Sequence, residues 1–178
     1  MVERVQIKFE FNAGEDRLLL RISEKADNTS CVEYRFWLTR RFVKIFIKAI
    51  DKLIEDELAK DMQIPPDTMN VMKKFQHEAA LSQADFSTTY DADAENCTAF
   101  GDKPLLITSL KIKKASKSKY VFSFLNNNLG VHLTAGMNLV HSLQKMLLDS
   151  AHNAEWNKPL FLVSEVDRRT TAPSKYVS

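Results

Sequence analysis

Cationic and aromatic side chains recur at strand-like spacing in the first third of the chain. Arg17 and Arg21 lie four residues apart in one such segment, and Arg35 and Trp37 lie two apart in the next. Side chains two residues apart on a strand point to the same face. A face with cations for phosphates and flat rings for stacking suits single-stranded nucleic acid. The alternative is an ordinary solvated strand face.

A lysine-rich hairpin in the second half offers similar chemistry. Between Lys103 and Leu148 there are seven lysines and no arginine, aspartate or glutamate. Arg40, at the start of a predicted helix, could also bind phosphate there. The alternative is a hairpin whose lysines protect a sheet edge from pairing. The predicted nucleic-acid-binding residues are Arg17, Arg21, Arg35, Trp37, Arg40, Lys111, Lys113, Lys114, Lys117, Lys119 and Tyr120.

The sequence lacks the common catalytic and metal-binding motifs. Its four histidines, His77, His132, His141 and His152, show no H-E-x-x-H or related spacing. It has only four glycines, and no P-loop, G-x-G-x-x-G or G-x-S-x-G sequence occurs. We therefore expect no enzyme activity, no cofactor and no bound metal. His141 and Lys145, or His152 and Glu155, are spaced to form ordinary surface pairs on helix faces.

The spacing of apolar residues predicts the elements that position these side chains. Apolar residues recur every three or four positions over Arg40–Lys60, and again after Thr134 as far as about His152, which indicates two amphipathic helices. Thr39 and Thr134 are the predicted N-caps. A weaker helix is predicted over Thr68–Gln83. Alternating apolar residues predict strands at Val5–Phe11, Leu18–Ile22, Val32–Leu38, Leu105–Ile112, Tyr120–Phe124 and Leu129–Leu133.

These elements form two similar units, each with strands, a Leu-Thr pair and a helix. The sequence therefore predicts an α+β fold with antiparallel sheet and a possible pseudo-two-fold duplication. The alternative is that strand, cap and helix simply succeed one another, as in many proteins. Within one compact domain we predict a first unit at 1–62, a helical linker and acidic loop at 63–104, and a second unit at 105–163. The second unit ends in a strand or packed extension at Leu160–Val163. A disordered tail is predicted at 164–178.

Strands followed by one long helix, occurring twice, resemble the Whirly and PUR-repeat families. The segment Arg17–Ile22 is similar to the basic and apolar strand of PUR repeats, and Arg40–Leu58 resembles the helix that closes such a unit. The likeness covers about residues 5–60 and 105–152. Proteins of these families bind single-stranded nucleic acid, so the resemblance implies a single-stranded DNA or RNA partner.

Composition and hydropathy limit the expected partners and cellular location of the protein. The net charge of +2 does not by itself indicate a nucleic-acid partner. No segment approaches the roughly 20 apolar residues of a membrane span, and no signal peptide is evident, so we expect a cytoplasmic protein without a membrane partner. The second hypothesis is a non-enzymatic interaction or homo-oligomeric assembly module, with an interface formed partly by Phe42, Phe46, Met137 and Leu148.

Overall fold

A computed structural model describes residues 4–25, 31–61, 66–84, 88, 90, 97–116 and 118–156. The predicted strand or extension at Leu160–Val163, the predicted tail at 164–178 and Lys117 lie outside these residues. The predicted α+β class is confirmed. The elements are β1 (Arg4–Asn12), β2 (Arg17–Lys25), β3 (Cys31–Thr39), α1 (Arg40–Asp61), α2 (Pro66–Ser82), β4 (Cys97–Thr98), β5 (Leu105–Leu106), β6 (Ser109–Ser116), β7 (Lys119–Asn126), β8 (Leu129–Gly136) and α3 (Met137–Asn153).

The first sheet is an antiparallel meander of β1, β2 and β3, and the short strands β4 and β5 both lie parallel to β3. Because successive side chains alternate between faces, one face is apolar and the other is polar. The apolar face is buried and includes Ile7, Phe9, Leu18, Leu20, Ile22, Tyr34, Phe36 and Leu38. The opposite, polar face is called the outer face below.

The second sheet is an antiparallel meander of β6, β7 and β8. Asn127 lies in the tight turn between β7 and β8 with a φ of 53°, a left-handed conformation that asparagine tolerates well. The predicted strand Leu105–Ile112 is interrupted at 107–108, where the chain changes from pairing with β3 to pairing with β7. The buried face of this sheet carries Leu110, Ile112, Tyr120, Phe122, Phe124, Val131, Leu133 and Ala135.

Each long helix packs against the sheet of the other unit. On α1, the ring of Phe46 lies 6.1 Å from that of Phe122 and 5.3 Å from that of Phe124, both in the second sheet. Conversely, α3 packs against β1, and Trp156 just after α3 contacts Phe11 edge-to-face at 5.8 Å. The two units therefore share one hydrophobic core. None of the helices in the described ranges is long and apolar enough to cross a membrane.

The two predicted N-caps have different outcomes. Thr39 accepts a hydrogen bond from the Phe42 amide at 3.2 Å, so it caps α1 as predicted. The prediction for Thr134 is wrong, because β8 continues through it and pairs it with Val121. The residue before α3 is instead Gly136, which has no side chain to cap with. The chain still passes from strand to helix without an intervening loop in both units.

The residues predicted to form an assembly interface lie mostly inside the molecule. Phe42 and Phe46 are 6% and 0% exposed and belong to the core, so they are not available to a partner. Met137 is partly buried against the same core. Leu148 is 40% exposed. The amphipathic stripe of α1 is thus used within the chain, because the second sheet covers it.

Candidate nucleic-acid interface

The outer face of the first sheet brings together the arginines predicted from the sequence. The strand register aligns Lys8, Arg21 and Arg35 in one row across β1, β2 and β3. The next row places Leu19 beside Trp37. Arg21, Arg35 and Trp37 therefore share a face, as the alternation predicted. Trp37 is only partly exposed there.

A buried carboxylate that the sequence analysis did not identify binds two of these arginines. Glu33 on β3 is fully buried. Its Oε1 accepts a hydrogen bond from Arg21 Nε at 2.7 Å, and its Oε2 accepts one from Arg35 Nε at 2.6 Å. The Tyr90 hydroxyl donates to Oε1 at 2.7 Å, and the Arg21 guanidinium lies 4.8 Å from the centre of the Tyr90 ring. The four side chains form a compact group, called the Glu33 cluster below.

Opposing effects set the ionisation of the Glu33 cluster. Burial alone would raise the pKa of Glu33, but hydrogen bonds from Arg21, Tyr90 and Arg35 outweigh it and hold that pKa below its usual value. Burial likewise favours a lower pKa for Arg21, and the Glu33 carboxylate reverses this, so the pKa of Arg21 is raised. Burial and the carboxylate together raise the pKa of Tyr90. Glu33 is therefore ionised and offsets charge that Arg21 and Arg35 would otherwise present to phosphate.

Two further predicted arginines also make contacts within the chain. Arg17 Nη1 lies 3.4 Å from a carboxylate oxygen of Glu15 at the β1–β2 turn. Arg40 Nη2 donates to the backbone carbonyl oxygen of Trp156 at 2.8 Å. The indole of Trp156 in turn donates to Asp16 at 2.9 Å. Arg40 thus helps to hold the segment after α3 against the start of α1.

The outer face of the second sheet carries exposed lysines. One row aligns Lys111, Ser123 and His132, and the neighbouring row aligns Lys113 with Val121 and Thr134. Lys111, Lys113 and His132 are exposed. His132 Nδ1 lies 2.7 Å from the Ser123 hydroxyl oxygen, which orients the imidazole on the sheet. Lys119 is exposed on the same side of β7.

Tyr120 and Lys114 do not join that surface, contrary to the predicted grouping. The register places them together on the buried side, and Tyr120 is only 5% exposed. Lys114 Nζ lies 3.0 Å from the Glu57 carboxylate on α1. Hydrogen bonds from Lys60 and Lys114, together with the nearby Tyr120 hydroxyl, lower the pKa of Glu57 to about 2, although its burial favours a higher value. Lys114 therefore connects α1 to the second sheet, beside the buried ring of Tyr120.

Two consecutive residues join the sheets close to Trp37. The Ile107 amide donates to the Trp37 carbonyl oxygen at 3.0 Å. The next amide, that of Thr108, donates to the Leu125 carbonyl oxygen of β7, also at 3.0 Å. The backbone of β3 at Trp37 therefore lies next to one end of the second sheet.

The two outer faces differ in charge. The first combines its cations with Glu33 and with Glu10, which lies 2.6 Å from Lys8. The second sheet spans residues 109–136, which contain five lysines and no aspartate or glutamate. An anionic ligand therefore meets less competition on the second sheet.

A groove between β1 and α3 is a further concave feature. It has a volume of about 720 Å³ and is lined partly by Ile7, Phe9, Tyr90, Leu139 and Met146. Of the predicted nucleic-acid-binding residues that the structure describes, none lines it. Within the described ranges, no group of three or more His, Cys, Asp and Glu side chains is placed to hold a metal ion.

Comparisons with known proteins found no match: no family model, no curated protein and no solved structure resembles the chain significantly.

Proposed function

We propose that this protein binds single-stranded nucleic acid on the outer face of the second sheet, without catalysing a reaction. Lys111, Lys113 and Lys119 contact phosphates in this proposal. The observation that carries it is the combination of exposed lysines with three strands that contain no acidic residue. Phosphate contacts dominate the affinity of such complexes.

The geometry of this surface supports the proposal. Lys111 and Lys113 are two residues apart on β6, so their backbone positions are separated by about 7 Å, and each can reach a different phosphate. The exposed imidazole of His132 on the same face is a flat group on which a base can stack. The resemblance to Whirly and PUR-repeat proteins supports the same class of ligand.

The proposed contact surface lies on the second sheet and does not include Arg21 and Arg35. Both arginines donate to the buried Glu33 carboxylate, and Arg21 retains only 15% side-chain exposure. Phosphate binding there would require the ligand to compete with an internal anion. The lysines of the second sheet face no such competition from their own strands.

Fluorescence anisotropy with a labelled single-stranded oligonucleotide at low salt tests the proposal. We expect the wild type to bind and the double variant Lys111→Glu/Lys113→Glu to bind at least tenfold more weakly. The double variant should also flatten the dependence of log Kd on log salt by about 1.4, because each lost phosphate contact removes about 0.7 for a single strand. The matched control is Lys44→Glu/Lys48→Glu, which makes the same charge change at exposed positions of α1.

Two outcomes would refute this assignment. If the wild type gives no anisotropy change at low salt, the protein does not bind single strands. If the α1 control weakens binding as much as the second-sheet variant, the effect reflects net charge and the site is not on β6.

A second candidate function, protein association, is favoured by an apolar pair on α2. Val71 and Phe75 are each 65% exposed and lie one helical turn apart, so they form one side of the helix. Sedimentation velocity of Phe75→Glu, with Asn70→Glu as a control on the same helix, tests this candidate. Loss of a wild-type oligomer in Phe75→Glu alone would support it, and a monomeric wild type would exclude self-association through α2.

A further inference from the structure

The exposed side of α1 carries a row of cations, called the α1 stripe below. Its members are three or four residues apart, so they lie on one face of the helix over roughly 16 Å. They are Arg41, Lys44, Lys48 and Lys52, and all four are exposed. In the part of the chain that the structure describes, none of them makes a side-chain hydrogen bond or an ion pair.

The α1 stripe is electrostatically unfavourable within the chain. Arg41 and Lys44 lie near the start of the helix, where the helix dipole disfavours cations. Lys44, Lys48 and Lys52 follow one another at intervals of four residues, which places like charges side by side. The first turn of α1 contains no acidic residue to offset them. An external anionic partner would relieve this repulsion.

An apolar ridge on α2 adjoins the α1 stripe. The ridge consists of Val71 and Phe75, each 65% exposed and one helical turn apart. The opposite side of α2 is held against α1 through Lys73, whose Nζ lies 2.6 Å from a carboxylate oxygen of Glu55. Glu55 follows Lys52 by three residues, so it lies on the same face of α1 as the stripe. The ridge and the stripe therefore belong to one side of the molecule.

This side of the molecule faces away from the second sheet. Phe46 packs against Phe122 of that sheet. Because Phe46 lies two residues from both Lys44 and Lys48, it is on the opposite side of α1 from the stripe. Ile45, which is 50% exposed, adds an apolar side chain beside the cations. The stripe and the proposed nucleic-acid surface are thus on opposite sides of α1.

We propose that the α1 stripe and the α2 ridge together bind the surface of an anionic lipid bilayer. Groups of four or more lysines and arginines on a helix are typical of contacts with anionic headgroups. In this arrangement Ile45, Val71 and Phe75 reach the boundary between headgroups and acyl chains. The earlier expectation of no membrane partner rested on the absence of a spanning segment, and a peripheral contact does not require one.

Other partners use fewer of these features. Three of the four cations are lysines, a residue that is depleted in protein–protein interfaces. A nucleic acid would contact the cations but would leave the aliphatic side chains of Ile45 and Val71 without a role. An anionic bilayer uses both the charges and the apolar side chains. This inference concerns a different surface from the proposed function and does not depend on it.

Cosedimentation of the full-length protein with vesicles at low salt tests the inference. We expect binding to vesicles of equimolar phosphatidylcholine and phosphatidylserine, and none to phosphatidylcholine alone. Lys44→Glu/Lys48→Glu should weaken binding by about tenfold or more, because two cations are replaced by anions. Phe75→Ala should weaken it about tenfold through lost apolar contact, and Val71→Ser serves as a second apolar variant.

Two matched controls should keep vesicle binding. Lys111→Glu/Lys113→Glu makes the same charge change on the other side of the molecule. Leu129→Ala removes an apolar side chain that is 58% exposed at the start of β8. All of these positions are exposed, so each variant should melt close to the wild type.

Several results would overturn the inference. They are a wild type that does not sediment with the mixed vesicles, equal binding to phosphatidylcholine alone, or an equal loss in the second-sheet control. A wild-type oligomer that Phe75→Ala dissociates would make α2 an interface between copies instead. A labelled single strand that loses affinity only in Lys44→Glu/Lys48→Glu would make the stripe a nucleic-acid surface. Because the two surfaces lie on opposite sides, vesicle binding can fail while oligonucleotide binding persists, and the reverse.

Discussion

Replacing the carboxylate at the centre of the Glu33 cluster tests how the first sheet is stabilised. In Glu33→Gln the side chain keeps its size, but Arg21 and Arg35 lose the negative charge to which both donate. Removing one partner of a fully buried ion pair costs about 3–5 kcal/mol. Arg21 and Arg35 retain 15% and 32% side-chain exposure and can turn toward water. We therefore expect a loss of about 2–3 kcal/mol in the free energy of unfolding.

Urea unfolding followed by circular dichroism measures this loss directly. In a chain of this size each kcal/mol corresponds to about 2–4 °C, so the melting temperature should fall by about 4–12 °C. The matched control is Glu10→Gln on the same face. Glu10 lies 3.7 Å from Arg21 but is 38% exposed, so its replacement should cost less than about 0.5 kcal/mol. A Glu33→Gln variant no less stable than Glu10→Gln would show that the buried carboxylate contributes no net stability.

The lowered pKa of Glu33 also makes the stability of the protein depend on pH. The pKa of Glu33 is lower in the folded protein than its ordinary value. Its stabilising contribution is therefore present above the ordinary glutamate range and is lost as the pH falls through the folded pKa. The stability difference between wild type and Glu33→Gln should shrink on acidification. A difference that stays constant into that acidic range would contradict the assignment.

Three further predictions concern single positions. Thr39→Ala should cost about 1 kcal/mol in unfolding free energy through loss of the α1 cap. Thr134→Ala should cost less than about 0.5 kcal/mol, because that threonine is an exposed strand residue. Parallel urea titrations of the two variants distinguish these costs. Gly130→Ala should destabilise the β7–β8 hairpin by more than about 2 kcal/mol, since the new Cβ would lie 1.9 Å from the Phe124 carbonyl oxygen, and a normal melting temperature would contradict this. The lowered pKa of His141 means that stability is full above its ordinary pKa and declines as the pH falls from 6.5 toward about 4; His141→Phe should lose that decline in a pH series of melts, and an unchanged decline would assign it to other groups.

Much of the fold follows from local patterns in the sequence. The alternation around Tyr34 and Phe36 predicts both the strand and the side to which Arg35 and Trp37 turn, because that signal needs only neighbouring residues. The change of period after Thr39 likewise predicts where α1 begins. Such features are encoded within a few residues, so they do not depend on how the elements are arranged in space.

The chemistry of the surfaces depends on distant residues and was not predictable in the same way. Glu33 is neutralised by Arg21 and covered by Tyr90, which is 57 residues away in the chain. Tyr120 is buried because α1 from the other unit packs over its side of the sheet. Glu33 lies two residues before Arg35 and therefore on the same face of the strand. This spacing was the one local signal that could have indicated the Glu33 cluster. The predicted surface pair of His141 with Lys145 is wrong, because His141 is buried and its Nδ1 lies 3.3 Å from that of His77, 64 residues away in the chain. Lys145 pairs with Asp149 instead.

The reciprocal packing of α1 and α3 has a consequence for how the molecule is made. When residues 1–61 have emerged from the ribosome, β1, β2 and β3 still lack α3, which covers their sheet. At that stage α1 likewise lacks the second sheet, against which it packs. Neither half can bury its apolar surface alone, so folding should be completed only after α3 has been synthesised, and distant contacts should make it slow. If the two halves are produced as separate polypeptides, they should associate. In that complex α1 of the first half packs on the second sheet, and α3 of the second half packs on the first sheet.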